Sequence, residues 1–142
     1  MTARAFLVCV AAAVSAAVVA GILTVGGPFE GRREKFDVQR YRELTSIAQA
    51  LRCQNWRVSR PVLPAELTTE TLNAHCAGSA PGKDGLLDDE TGEPYEYVRK
   101  NDREFSVCAR FHDAEKAMRL SVGPGNDSSF DPETGCMGGL VK

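Results

Sequence analysis

Apolar and polar positions divide the chain into a uniform stretch and a periodic remainder. From Ala5 to Val25, twenty-one residues pass without a charge, and no helix of a small water-soluble domain needs to be apolar all round. At 1.5 Å per residue such a helix covers roughly 30 Å, the hydrocarbon thickness of a bilayer, so the stretch predicts a transmembrane segment. Gly26, Gly27 and Pro28 then interrupt it, because proline lacks an amide hydrogen and disfavours helix at the residue before it. From about Arg33 to Cys53 the apolar residues Tyr41, Leu44, Ile47, Ala48 and Leu51 recur at spacings of three and four, whereas Arg40, Arg42, Glu43, Gln49 and Arg52 lie largely off that stripe. This predicts a scaffold helix packed on the domain's own sheet.

Beyond the helix, Gln54 to Pro64, with Trp56, Pro61 and Pro64, reads as an extended connection. Thr68 or Thr69 can cap a short helix with Leu67 and Leu72 on its buried side, ended by the Gly78 to Gly85 stretch. Asp88 to Gly92 reads as a turn. The best strand signal follows: Pro94 to Arg99, then Asn101 and Asp102, then Arg103 to Phe111, which predicts a hairpin. In its second arm Phe105, Val107, Ala109 and Phe111 alternate with polar residues and with Cys108, so one face is apolar and the other carries the thiol. Met118 to Val122 is the candidate third strand, and Gly123 to Gly139, rich in Gly, Pro, Asn, Asp and Ser, reads as a loop needing Cys136 to tie it down.

Cysteine usage changes the picture of compartment. Four of the five, Cys53, Cys76, Cys108 and Cys136, follow the span, with no Cys-x-x-Cys pair. That pattern suits a disulfide framework in an oxidising compartment. Four cysteines permit three pairings; chain order suggests Cys53 with Cys76 and Cys108 with Cys136. Arg32, Arg33 and Lys35 after the span would by the positive-inside rule place the C-terminal part in the cytoplasm. The cysteines argue the other way, and the expectation follows them: a single-pass protein of the cytoplasmic (inner) membrane with an extracytoplasmic, periplasmic domain. Residues 1–27 form the anchor and 28–142 one α+β domain. A cleaved signal is the alternative, with Val18-Val19-Ala20 as its small-residue site, but Ile22, Leu23 and Val25 prolong the apolar run beyond it. Cys9 lacks the small residues that precede a lipid-modified cysteine. Seventeen Lys and Arg, Arg4 among them, face nineteen Asp and Glu, so the part after the span carries about three negative charges, mixed along the chain. This excludes a basic nucleic-acid footprint.

Thr91-Gly92-Glu93-Pro94-Tyr95-Glu96-Tyr97, followed by Val107-Cys108-Ala109-Arg110-Phe111, resembles small bacterial single-span proteins with pilin-like heads. Helix, Pro-rich connection, Thr-Gly-x-Pro-Tyr turn and hairpin come in the same order as in the type II secretion pseudopilins, over roughly Phe36 to Phe111. The resemblance implies a long helix laid on an antiparallel sheet and displayed outside the cytoplasmic membrane. Pseudopilins also carry a processed leader and a glutamate at the fifth mature position. Ala5 to Val25 contains no acid, so recognition by a prepilin peptidase is not expected.

Candidate chemistry is sparse. Cys108 with His112, and His75 with Cys76, offer zinc ligands, but two disulfides account for the same cysteines and no metal site is expected. For calcium, oxygen ligands cluster at Asp88, Asp89 and Glu90 and at Asn126, Asp127, Asp131 and Glu133, and pseudopilin heads bind calcium in such a loop. The EF-hand spacing is absent. His75 and His112 are the two histidines, and no nucleophile, base and orienting acid can be read together. The expected function is therefore a membrane-anchored, non-catalytic module that contacts other proteins as a pseudopilin-like component. The alternatives are an accessory subunit of an unrelated membrane complex and, more weakly, an enzyme.

Overall fold

The computed structural model describes residues 3–25, 27–53, 62–76, 81–121 and 129–141. Most of the connection expected from Gln54 to Pro64 lies outside them. The chain divides into two compact units after Arg33.

In the first unit, helix α1 (Ala3–Val25) spans 23 residues. It is long and apolar enough to cross a membrane, and none of its apolar window is buried. A signal sequence near the N-terminus would pass the same test of length and composition. Its one threonine turns inward on the backbone: Thr24 Oγ1 donates to the carbonyls of Ala20 and Gly21, both at 3.0 Å, which satisfies the hydroxyl without water. Helix α2 (Pro28–Arg52) begins in this unit and runs into the second. It starts at Pro28 rather than near Arg33, a position where a missing amide hydrogen leaves no bond unmade.

The second unit is α+β. Tyr41, Leu44, Ile47, Ala48 and Leu51 of α2 are buried as their spacing predicts, and Ala50 joins them. Arg40 and Glu43 depart from the expectation, since both are buried, together with Asp37. Asp37, Arg40, Tyr41 and Leu44 keep the spacing of three and four, so the buried face of α2 continues towards its N-terminus as a polar extension of the apolar stripe. Helix α3 (Thr69–His75) opens on a capping box: Thr68 Oγ1 accepts from Thr71 N, and Thr71 Oγ1 accepts from Thr68 N. Leu72 fixes its inner side. A single 3₁₀ turn (Lys83–Leu86) follows.

Strands β1 (Glu96–Arg99), β2 (Glu104–Cys108), β3 (Phe130–Asp131) and β4 (Cys136–Leu140) form one antiparallel sheet in the order β1-β2-β4-β3. The β1–β2 hairpin closes on Asn101, whose Oδ1 accepts from the amides of Arg103 and Glu104, both at 2.9 Å. Phe105, Val107 and Met137 point to the core that α2 also lines, and Tyr41 meets Phe130 edge to face at 5.0 Å.

Two sequence expectations fail here. The stretch from Met118 to Ser121 is not a strand: it lies in helix α4 (Ala114–Ser121), while Val122, the last residue of the expected strand, is outside the described residues. Asp113 caps that helix by accepting from Lys116 N at 2.9 Å, and Glu115 pairs with Arg119 one turn on. Ala117 goes inward, on a spacing that a few apolar residues in a short window could not distinguish from alternation. Nor is Gly123 to Gly139 a loop throughout. Within it, β4 occupies an interior position of the sheet. Its glycines answer to packing: a Cβ on Gly139 would lie 2.8 Å from the Phe105 ring and 2.7 Å from Arg52 Nε. Gly135, at φ 67°, makes the turn into β4, where a Cβ would meet the Ala109 carbonyl oxygen at 2.6 Å.

Candidate functional site

The densest polar constellation is an ionic junction around Arg40, 3% exposed. Arg40 Nε and Nη2 donate to the two carboxylate oxygens of Asp88 at 2.6 and 3.1 Å, Nη1 donates to Asp37 at 2.8 Å, and Nη2 also reaches Glu90 at 2.5 Å. The planar guanidinium forks over Asp88 in the bidentate geometry that lysine cannot reproduce. Each carboxylate has further partners. Asp37 accepts from the amides of His112 and Asp113, at 3.1 and 2.8 Å. Asp88 accepts from Glu90 N at 2.8 Å, an Asx turn that shapes 88–92, and Gly92 at φ 71° completes it. His112 Nε2 lies 3.0 Å from Glu90. One residue of α2 is thereby joined to the 88–92 turn directly and, through Asp37, to the turn that enters α4.

Electrostatics follow from this wiring. Burial alone would lower the pKa of Arg40, but the hydrogen bonds it donates to Asp88, Glu90 and Asp37 outweigh it and raise it above the ordinary value. Burial pushes Asp88 up, and the Arg40 hydrogen bond with the Glu90 and Thr91 amides more than reverses this, leaving it below the usual carboxylate range. Glu90 is held low by Arg40 and then by His112. Three carboxylates against one guanidinium would invite a cation in open water. Here Asp37 and Asp88 accept from the guanidinium and from backbone amides, Glu90 meets the guanidinium and His112, and among the described residues no group of three His, Cys, Asp or Glu is placed to hold a metal ion.

One turn along α2, Glu43 accepts from the Tyr95 hydroxyl and, at 2.7 Å, from Gln39 Nε2. Burial first, then the Glu43 carboxylate, pushes the Tyr95 phenol above its ordinary pKa. Tyr97 is pushed up by burial and donates to the Pro64 carbonyl at 2.8 Å.

The residues singled out in the sequence fall as follows. Cys53 is joined to Cys76, across the ends of α2 and α3, and Cys108 to Cys136, on directly opposed positions of β2 and β4. The zinc reading fails because these thiols are consumed. Asp88, one of the calcium candidates, accepts from Arg40 and from backbone amides. Asp131 accepts from Thr134 Oγ1 and Glu133 N, which hold it below the usual carboxylate range and shape the β3–β4 turn. Asp89 is exposed on the 88–92 turn, and Asn126 and Asp127 lie outside the described residues. His75 and His112 sit in separate places: His75 Nε2 is 2.9 Å from the Leu51 carbonyl, where it caps the end of α2, while His112 serves the junction. Sequence reasoning missed Asp37, Arg40, Glu43 and Tyr95, although the continued spacing of Asp37 and Arg40 with Tyr41 and Leu44 carried a signal.

Two clefts border this region. One, of about 390 Å³, is lined by Leu67, Thr68, Leu86, Leu87, Pro94 and Tyr95. The other, of about 380 Å³, is lined by Glu93, Glu96, Arg110 and Thr134 with both members of the Cys108–Cys136 bridge. Neither brings a nucleophile, a base and an orienting acid into one geometry. Comparison with protein-family models, curated protein sequences and solved structures returned no match.

Proposed function

We propose that the protein is a membrane-anchored, non-catalytic interaction module of the cytoplasmic membrane, with its C-terminal α+β domain outside the cytoplasm and another protein as its partner. The observation that carries the reading is the combination of α1, apolar and unburied, with a following domain closed by two disulfides. A bilayer accounts for the first and an oxidising compartment for the second. The polar chemistry supports a structural rather than a catalytic role: Arg40, Asp37 and Asp88 are buried and mutually satisfied, whereas a catalytic set leaves at least one group unspent towards substrate. A helix, a Thr-Gly-x-Pro-Tyr turn and a hairpin around one core suit a pseudopilin-like head, and we extend the proposal to a component of a membrane or secretion assembly. No nucleic-acid partner is proposed for a domain of this charge.

The test is topological. A C-terminal alkaline phosphatase fusion is expected to be active and to fractionate with membranes. Activity of a cytoplasmic reporter at the same position would refute the orientation. Release of a soluble domain with a new amino terminus near Gly21 would refute the anchor and establish a cleaved signal.

A further inference from the structure

The two disulfides differ in what surrounds them. Cys76 is 3% exposed and Cys53 half-buried, so a thiolate attacking their bridge at the reachable Cys53 sulfur must expel the electron pair onto a buried one. Cys108 and Cys136 are half-buried on the sheet face opposite Phe105, Val107 and Met137, and both line the 380 Å³ cleft. The strands they join are also held by pairing and packing. β2 and β4 are paired over five residue pairs, Glu104↔Leu140 to Cys108↔Cys136, and each is anchored by buried side chains on its other face.

We infer that the Cys108–Cys136 bridge is a thiol–disulfide exchange site of the folded domain, accessible at both sulfurs to an external dithiol, and that Cys53–Cys76, with one sulfur buried, exchanges far more slowly. A disulfide yields to a thiolate that can reach one sulfur while the other leaves. The surroundings distinguish the two sulfurs. Ser106 Oγ lies 3.6 Å from Cys108 Sγ; a bridged sulfur has no proton, so the hydroxyl is the donor, and it stabilises negative charge as that charge develops. The Thr134 carbonyl oxygen lies 3.5 Å from Cys136 Sγ and disfavours charge there. The dithiol's thiolate therefore attacks Cys136 Sγ, a mixed disulfide forms, the Sγ–Sγ bond breaks, and its electron pair leaves on Cys108 Sγ, which then takes a proton. The dithiol's second thiol attacks its own sulfur in the mixed disulfide, releasing Cys136 as a thiol. Two electrons have passed from dithiol to cystine, and the reductant departs as a disulfide. The paired strands hold both new thiols opposite one another, ready to reoxidise.

The experiment uses the full chain in detergent micelles, with the free thiol of Cys9 blocked beforehand by N-ethylmaleimide. Dithiothreitol is added under native conditions, aliquots are quenched with isotope-labelled iodoacetamide, and peptides are quantified by mass spectrometry alongside circular dichroism. Cys108 and Cys136 are expected to label at least about tenfold faster than Cys53 and Cys76, as accessibility governs exchange, with secondary structure unchanged. Ser106→Ala is expected to slow that reduction by about three- to tenfold, a partial share of a hydrogen bond to a charged group. Reduction of both pairs at one rate, of Cys53–Cys76 first, or only together with loss of structure, would overturn the inference. An unchanged rate in Ser106→Ala would overturn the choice of Cys108 as leaving group.

Discussion

Replacing Arg40 with methionine tests whether the ionic junction holds the second unit together. Four hydrogen bonds vanish: two to Asp88, one to Asp37 and one to Glu90. Removing one partner of a buried ion pair typically destabilises by about 3–5 kcal/mol, because the remaining charge is left without compensation. Two features bound the figure from above. Asp37 and Asp88 keep their backbone amide donors, and Glu90, with its side chain 31% exposed, can be re-solvated. The lower part of that range is expected. At about 4 °C per kcal/mol for a domain of this size, Tm should fall by on the order of 10–15 °C. The pH dependence supplies the discriminating sign. Asp88 and Glu90 have depressed pKa values in the folded state, so their contribution is fully present above the ordinary carboxylate pKa of about 4 and is lost as pH falls below it. Thermal unfolding followed by circular dichroism at pH 7 and pH 3 should therefore show a wild-type lead that narrows in acid. Arg40→Lys, which keeps the charge and loses the fork, should fall between the two. An equal difference at both pH values, or one below about 1 kcal/mol at pH 7, would show that Arg40 acts by packing and not through its carboxylates.

Gly139→Ala should destabilise by about 1–3 kcal/mol in denaturant titration, since its methyl would press on the buried Phe105 ring; Gly138→Ala, whose Cβ would meet only the Phe105 carbonyl at 3.6 Å, is the tolerated control. Tyr95→Phe should cost about 1–3 kcal/mol by leaving the buried Glu43 carboxylate short of a donor. Because Tyr95 has a raised pKa, its contribution is present below the ordinary phenol value of about 10 and is lost as pH rises through the folded value; alkaline unfolding monitored by tyrosinate absorbance should thus weaken in that variant.

Much of the fold was legible because its signals are local. The uncharged run ends where α1 ends, the stripe from Tyr41 to Leu51 is the buried face of α2, and Thr68 caps α3 as its hydroxyl allows. The hairpin followed from alternation around a turn that Asn101 closes. What failed depends on distant neighbours. Gly138 and Gly139 weaken any strand by propensity, and only the Phe105 ring and Arg52, brought from β2 and α2, make glycine the residue that fits at position 139 of the interior strand β4. Met118 to Ser121 looked like a strand because the helix that contains it is short, and its decisive signal is one capping aspartate, Asp113, upstream.

The ionic junction was hidden for a related reason. A charge on an amphipathic helix is by default assigned to solvent, and a rule that reads Arg40 and Glu43 alone has no means of placing their partners 48 and 52 residues away. Yet the expectation of a turn at 88–92 and the spacing of Asp37, Arg40 and Tyr41 were both available. Joined, they require something buried on α2 to meet an acidic turn, and arginine is the side chain that can satisfy two carboxylate oxygens at once without giving up its charge. The same step bears on Asp88 as a calcium candidate. An aspartate that shapes its own turn by accepting backbone amides, and then receives a guanidinium from a helix, has spent on them most of the acceptor capacity it could offer a cation, whatever the local density of carboxylates suggests.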